Sequence, residues 1–237
     1  MDIQAWQTQY KALYTPHIEA GHYPADVQLA LSWRDQWNGT RFTLTDTDAV
    51  EKQLDQLDNR KIDSYFRVTP MVNRAYGRNE RGGAQDGLGL QVIFADIDTL
   101  DGVHEAFKGT QAGLPHPTHQ QALDLVTAIG TPTLVIASGG GLQAYWRLAE
   151  PLRIPLISSG EGEGKPDRTS LEQMLILRFN EHLITLAHDA GFSVDIGVTG
   201  DAAMALRTAV PATGNEPNQQ MFRSLKSTRV LNTQPRS

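Results

Sequence analysis

The sequence predicts a mixed α/β (α+β) protein, and three features carry that prediction. Segments with apolar residues at helical spacing are interspersed with short apolar runs of strand character. One of those runs ends in two aspartates placed two residues apart. Another is followed by three glycines and a returning, alternating run, which is a hairpin signal. At 237 residues the chain holds one large domain or two joined lobes with an ample core.

Ile3, Trp6, Tyr10 and Leu13 fall at helical spacing and predict an opening amphipathic helix over 3–14. A second helix is expected over 24–37, carrying Val27, Leu29, Leu31, Trp33 and Trp37. Asp46 is placed to cap a helix running to about Asn59, with Val50, Leu54 and Leu57 on one face. Ser64 to Thr69 reads as a strand stopped by Pro70. From Met71 to Leu90 the chain is polar and rich in Gly and Arg, a long irregular segment of the kind that tends to be functional or disordered.

The run Gln91-Val92-Ile93-Phe94-Ala95-Asp96-Ile97-Asp98 then predicts a buried strand with a carboxylate pair at its end. Side chains alternate along a strand, so Asp96 and Asp98 share a face, roughly 6–7 Å apart along the chain. Two like charges beside an apolar strand repel each other and lose hydration unless a cation lies between them. Mg²⁺ or Mn²⁺ suits such oxygen donors. The competing explanation is a strand that ends at Ala95, with both aspartates solvated or capping the turn before Asp101-Gly102.

Ala122, Leu125, Val126 and Ile129 predict a helix over 119–129, and Pro132 to Ser138 a second apolar strand. Gly139-Gly140-Gly141 reverses the chain into the strand Leu142 to Leu148. Glycines here serve a tight turn, or let backbone N–H groups approach a phosphate. Residues 158–170 have the composition of a mobile surface loop, after which Ser170 and Gln173 form a capping box for a helix to about Ala190. Phe192 to Val198 reads as a strand holding Asp195, and the remainder as loop and short strand.

Composition narrows the function classes. There is no cysteine, hence no disulfide, zinc knuckle or thiol nucleophile. No apolar run approaches the roughly 18–20 residues of a membrane span, and the N-terminus lacks a signal pattern, so a cytoplasmic location is expected. A net charge of −6 argues against a protein that coats nucleic acid electrostatically, though not against an enzyme that grips it locally. Arg67, Arg74, Arg78 and Arg81 lie close together in sequence, and Arg223, Lys226 and Arg229 recur near the end.

Three stretches in this order resemble the archaeo-eukaryotic primase superfamily, in particular the primase-polymerases of phages and plasmids. They are the strand with Asp96-x-Asp98, the Ser138-Gly139-Gly140-Gly141 turn with its return strand, and the strand with Asp195. The match runs from about Tyr65 to Asn215. The resemblance implies a primase-polymerase catalytic core: an RRM-like antiparallel sheet, helices behind it, and an N-terminal α/β lobe forming a cleft. It implies a single catalytic domain over 1–237, with a mainly helical part at 1–62 and the α/β core at 63–232. By the same resemblance Asp96, Asp98 and Asp195 are the catalytic metal ligands. Ser138, Gly139, Gly140, Gln143 and Arg207 bind the incoming nucleotide, and Arg74, Arg78 and Arg81 contact nucleic acid. Where the family commonly has histidine this chain has Gln143, which keeps a hydrogen-bond donor but carries no charge.

The function so implied is template-directed nucleotidyl transfer, a DNA primase or polymerase activity in phage or plasmid replication. Its cofactor is magnesium or manganese. Its partners are a single-stranded DNA template and nucleoside triphosphates, with a replicative helicase as a further candidate and no membrane. Two other readings compete. Ile93 to Leu100 also resembles the nucleophile motif of haloacid-dehalogenase phosphohydrolases, in which Asp96 would be phosphorylated, but no glycine follows Asp98. The other is a catalytically weak primase-like module that binds nucleic acid or a helicase. For the third carboxylate, Asp195 lies among apolar strand residues, whereas Asp201 follows Thr199-Gly200 and suits a turn or cap.

Overall fold

A computed structural model describes residues 3–33, 39–77, 82–102, 113–138 and 140–194, and the backbone of 205–207. The opening helix is α1, Ile3–Leu13, which buries Trp6, Gln9, Tyr10 and Leu13 along one side. A short helix α2, Thr15–Glu19, follows with proline in its first turn, where the missing N–H costs nothing.

The helix expected over 24–37 is instead a strand, β1, Gln28–Trp33. Val27, Leu29 and Leu31 recur at every second residue and are fully buried, while Gln28 and Ala30 between them are half-buried. A period of two places all three apolar residues on one face of a strand but scatters them around a helix. Trp37 lies outside the described residues. β1 pairs antiparallel with β2, Gly39–Thr43, so the part before residue 62 contains a strand pair beside its helices.

Helix α3, Thr47–Asn59, begins where the sequence indicates: the Asp46 carboxylate accepts the Ala49 N–H at 3.2 Å. Strand β3, Ser64–Arg67, precedes the irregular segment, whose described residues include a 3₁₀ turn at Ala84–Asp86. The central strand is β4, Leu90–Asp98. Helix α4, His119–Ile129, carries a reciprocal cap in which Thr118 and Gln121 exchange side-chain and backbone bonds at 2.8 and 3.3 Å. The hairpin of β5, Leu134–Ala137, and β6, Gly141–Leu152, follows. Ser170 caps α5, Leu171–Asp189, by accepting the Gln173 N–H at 3.2 Å. Of the strand expected over 192–198, residues 195–198 lie outside the described residues. A further strand, β7, spans Ala205–Arg207.

The strands form two antiparallel sheets, β2-β1-β3-β7 and β4-β6-β5. A mixed α/β fold with two small antiparallel sheets is therefore what the chain adopts. One apolar cluster joins the sheets: Leu29, Leu31 and Phe66 from the first, Val92, Phe94 and Tyr145 from the second, with Trp6, Leu13 and Tyr14 of the helical part. A second cluster lies behind β4 and β6, where Ala95, Ile97, Leu142 and Ala144 meet Ala122 and Val126 of α4 and Leu183 and Ala187 of α5. No described helix is long and apolar enough to cross a membrane.

Phe66 is the hub of the first cluster. It is fully buried and meets Trp6 edge-on at 5.5 Å and Tyr14 at 6.5 Å. Truncating such a ring removes both its burial and its aromatic contacts. Phe66→Ala should lower unfolding stability by about 3–5 kcal/mol in urea titrations. A loss below about 1 kcal/mol would mean that the two sheets do not share this core.

Candidate active site

Alternation along β4 builds the site. Val92 and Phe94 point into the cluster between the sheets, while Ala95 and Ile97 point into the cluster backed by α4 and α5. Asp96 and Asp98 continue the Val92–Phe94 face, on the side toward the first sheet. Burial falls along that face: Phe94 is fully buried, Asp96 half-buried and Asp98 exposed. The carboxylate pair thus stands where the inter-sheet core opens to solvent. Opposite it on β6, Asp96 pairs with Gln143 and Asp98 with Gly141.

The glycine turn is pinned against the same strand end. Ser138 N–H donates to the Gly141 carbonyl at 2.9 Å, closing the β5–β6 reversal. A Cβ at Gly141 would strike the Ile97 carbonyl, so β6 can lie beside Asp98 only with glycine there. Gly102 and Gly140 likewise abut backbone to backbone, and Thr99 N–H donates to the Gly140 carbonyl at 3.2 Å. Gly141 in the turn and Gly102 in the chain that follows Asp98 are therefore required by the close packing of these two segments. Gly139 lies outside the described residues.

Gln143 is buried, and a side-chain relay fixes it. Gln9 of α1 donates from Nε2 to the Tyr145 hydroxyl at 3.1 Å, and that hydroxyl donates to Gln143 Oε1 at 2.9 Å. Burial, followed by the negative charge of Asp96 and opposed by the Gln9 bond, pushes the Tyr145 phenol well above its ordinary pKa. Its proton therefore stays available for Gln143. With its oxygen turned to Tyr145, Gln143 keeps its –NH₂ group for other partners.

The remaining expected residues divide. Val194, the last described residue before Asp195, packs in the cluster that holds Ala95 and Ile97, and Ser193 N–H bonds the Pro115 carbonyl at 2.9 Å. Asp195, Asp201, Arg78 and Arg81 lie outside the described residues. Arg207 pairs through its backbone with Tyr65, on the sheet facing the carboxylates, and its side chain is outside the description. Arg74 is bound within the protein: its Nε and Nη2 donate to Asp86 at 2.6 and 3.0 Å. Ser138 is half-buried beside the turn.

Among the described residues no group of three His, Cys, Asp or Glu is placed to hold a metal ion. Asp96 and Asp98 are two hard oxygen donors on one face. Mg²⁺ is commonly held by one or two carboxylates, with waters and substrate phosphates completing its shell. The pair fits that donor set.

Several residues at or near the site carried no signal in the sequence. Gln9, 136 residues away in sequence from Tyr145, reaches it only through the fold. His119 lies against Thr99 and Asp101, at 3.0 Å and 3.4 Å, directly beyond the carboxylate pair. Arg41 and Tyr76 join Arg74 and Asp86 in a separate charged cluster. In that cluster burial raises the pKa of Asp86. The bonds from Arg74 and the Gly83 N–H, with the charges of Arg74 and Arg67, outweigh burial and hold it below its ordinary value. The sequence matches no protein-family model, no curated protein and no solved structure.

Two measurements follow from these contacts. Tyr145→Phe leaves Gln9 Nε2 and Gln143 Oε1 without the hydroxyl, and should cost about 1–3 kcal/mol of stability. Combined with Gln9→Leu the loss should be less than additive, whereas strict additivity would show that no relay exists. Asp86 has a depressed folded pKa, so its stabilisation is present above the ordinary carboxylate value of 3.8 and is lost as pH falls through the lower folded value. Urea midpoints of wild type and Asp86→Asn should differ by a constant amount above about pH 5 and converge at lower pH. Parallel curves from pH 7 to the lowest pH reached would contradict this.

Proposed function

We propose that this chain is a template-directed nucleotidyltransferase, a DNA primase or polymerase that joins nucleotides on a single-stranded DNA template. The observation that carries this reading is the Asp96–Asp98 pair, held on one face at the solvent end of a buried strand, with the Ser138–Gly141 turn packed against it. Nucleotidyl transfer needs carboxylates where a 3′-hydroxyl meets an α-phosphate, together with donors for the triphosphate. Asp96 and Asp98 supply the carboxylates. The Ser138 hydroxyl, the turn backbone and the Gln143 amide supply donors, and Gln143 arrives pre-oriented by Tyr145.

In this reading Asp96, Asp98 and Asp195 hold magnesium or manganese. When bound, two such ions stabilise the attacking and leaving oxygens of an in-line displacement. Arg207 is assigned to the triphosphate from the facing sheet, and the antiparallel sheet β4-β6-β5 is assigned to the RRM-like core of a phage or plasmid replication primase. Single-stranded DNA, nucleoside triphosphates and a replicative helicase are its proposed partners.

Incubation with a single-stranded template, labelled nucleotides and Mn²⁺ or Mg²⁺, with and without a primer, should give extended products. Asp96→Ala and Asp98→Ala should each abolish them, a loss of at least about 10³-fold. Undiminished synthesis by either variant would remove the pair from the active site. Release of inorganic phosphate from small phosphoesters without nucleotide incorporation would favour the phosphohydrolase instead.

A further inference from the structure

Helix α5 buries Ile176, Asn180, Leu183 and Ala187, which recur at intervals of four and three and define its inner face. At the helical positions opposite stand Leu171, Met174, Leu175 and Arg178, spaced i, i+3, i+4 and i+7. The three apolar members are exposed, at 68%, 39% and 49%, and Leu177 beside them at 41%. Among the described residues Leu100 is the other large apolar side chain exposed to this degree. Apolar residues scattered singly over a surface need no explanation, but a stripe gathered on two turns of one helix marks a packing face.

The charges around the stripe suit a second copy of the same helix. Arg168 stands two residues before the Ser170 cap, and Glu181 follows Arg178 by three residues on the outer side. Both are exposed. A two-fold axis between Met174 and Leu175, relating antiparallel helices, sets Met174 opposite Leu175 of the partner subunit. It sets Leu171 opposite Arg178 of the partner subunit, whose aliphatic stem can cover the leucine while its head stays in water. The same axis sets Arg168 opposite Glu181 of the partner subunit, so opposite charges meet at both ends of the contact. A parallel pair would instead bring Arg178 against Arg178 of the partner subunit and Glu181 against Glu181 of the partner subunit. A phosphate backbone gains nothing from apolar side chains, so the face does not suit nucleic acid.

The stripe also lies away from the carboxylates. Leu183 and Ala187 of the inner face pack with Ala95 and Ile97, on the side of β4 opposite to Asp96 and Asp98. Pairing through the outer face of α5 therefore leaves both carboxylate faces of a dimer open.

We propose that two copies of the chain associate through the outer faces of α5, antiparallel about a two-fold axis between Met174 and Leu175. Two helical turns make a small contact, so the dimer is weak and reversible, with a dissociation constant of about 10–100 μM. Sedimentation velocity on the full chain, without metal or nucleotide, should show the average mass rising from one chain towards two across that range. Leu175→Glu puts a charge at the centre of the contact and should weaken association at least about 100-fold. Arg168→Glu and Glu181→Arg each set like charges opposite one another at both ends, and each should weaken association about tenfold. Arg168→Glu combined with Glu181→Arg remakes each pair with its signs exchanged and should restore wild-type association. Circular dichroism and urea midpoints establish that each variant is folded.

A single-chain mass at every concentration up to about 300 μM would overturn the proposal. If such a monomer also lost stability on Leu175→Glu, another part of the same chain would be what covers the face. Association that Leu175→Glu leaves intact would overturn it by placing the contact elsewhere. Failure of the double exchange to restore association would overturn the antiparallel pairing. Because the stripe and the carboxylates lie on opposite sides of β4, none of these results depends on nucleotidyl transfer.

Discussion

The side-chain alternation of β4 is the constraint on which the rest of the molecule depends. One strand serves two cores: Val92 and Phe94 fill the space between the sheets, and Ala95 and Ile97 fill the space in front of α4 and α5. Because the period is two, fixing either set fixes Asp96 and Asp98 on the inter-sheet side. A register slip of one residue would send both carboxylates into the helix-backed core and unpaired apolar groups outward. The many kcal/mol of apolar burial on both faces thus hold a pair of like charges where repulsion alone would separate them. Gly141 contributes to the same end, since a side chain there would push β6 away from the strand end it supports.

The polar groups beside this strand are organised from outside it. Gln9 comes from the opening helix and meets Tyr145, which holds Gln143 across from Asp96. The helical N-terminal part therefore does more than cover the sheet, because it sets the orientation of an amide in the second sheet. The Arg41–Tyr76–Arg74 cluster is arranged by the same logic of one group positioning another. There a buried carboxylate, Asp86, orients a guanidinium that braces a ring, and the ring seats a second guanidinium.

Much of this fold was legible in the sequence where a local rule had a local cause. The caps at Asp46 and Ser170 mark helix starts because each side chain satisfies a backbone N–H three residues on. The glycine reversal and the apolar run before Asp96 were equally direct. Over 24–37 the apolar composition, with Trp33 and Trp37, suits a helix, and only the strict alternation of Val27, Leu29 and Leu31 marks the strand that forms. Of the site, the carboxylate pair was legible because two residues suffice to define a face. The Gln9 relay and the Arg41 contact were not, since both join segments that only tertiary structure brings together. Arg74 was legible as a cation, but its engagement with Asp86, twelve residues away across an irregular loop, was not.

We propose that divalent metal binds on the Asp96–Asp98 face of β4. Paramagnetic broadening of backbone amide resonances by Mn²⁺ tests it most directly, because it locates the ion without requiring catalysis. The account predicts loss of signal from Ile97, Asp98, Gly141 and Leu142 at substoichiometric Mn²⁺, unaltered signals from Arg41 and Tyr76, and disappearance of the effect in Asp96→Asn. Broadening centred elsewhere, or an identical pattern in Asp96→Asn, would contradict it.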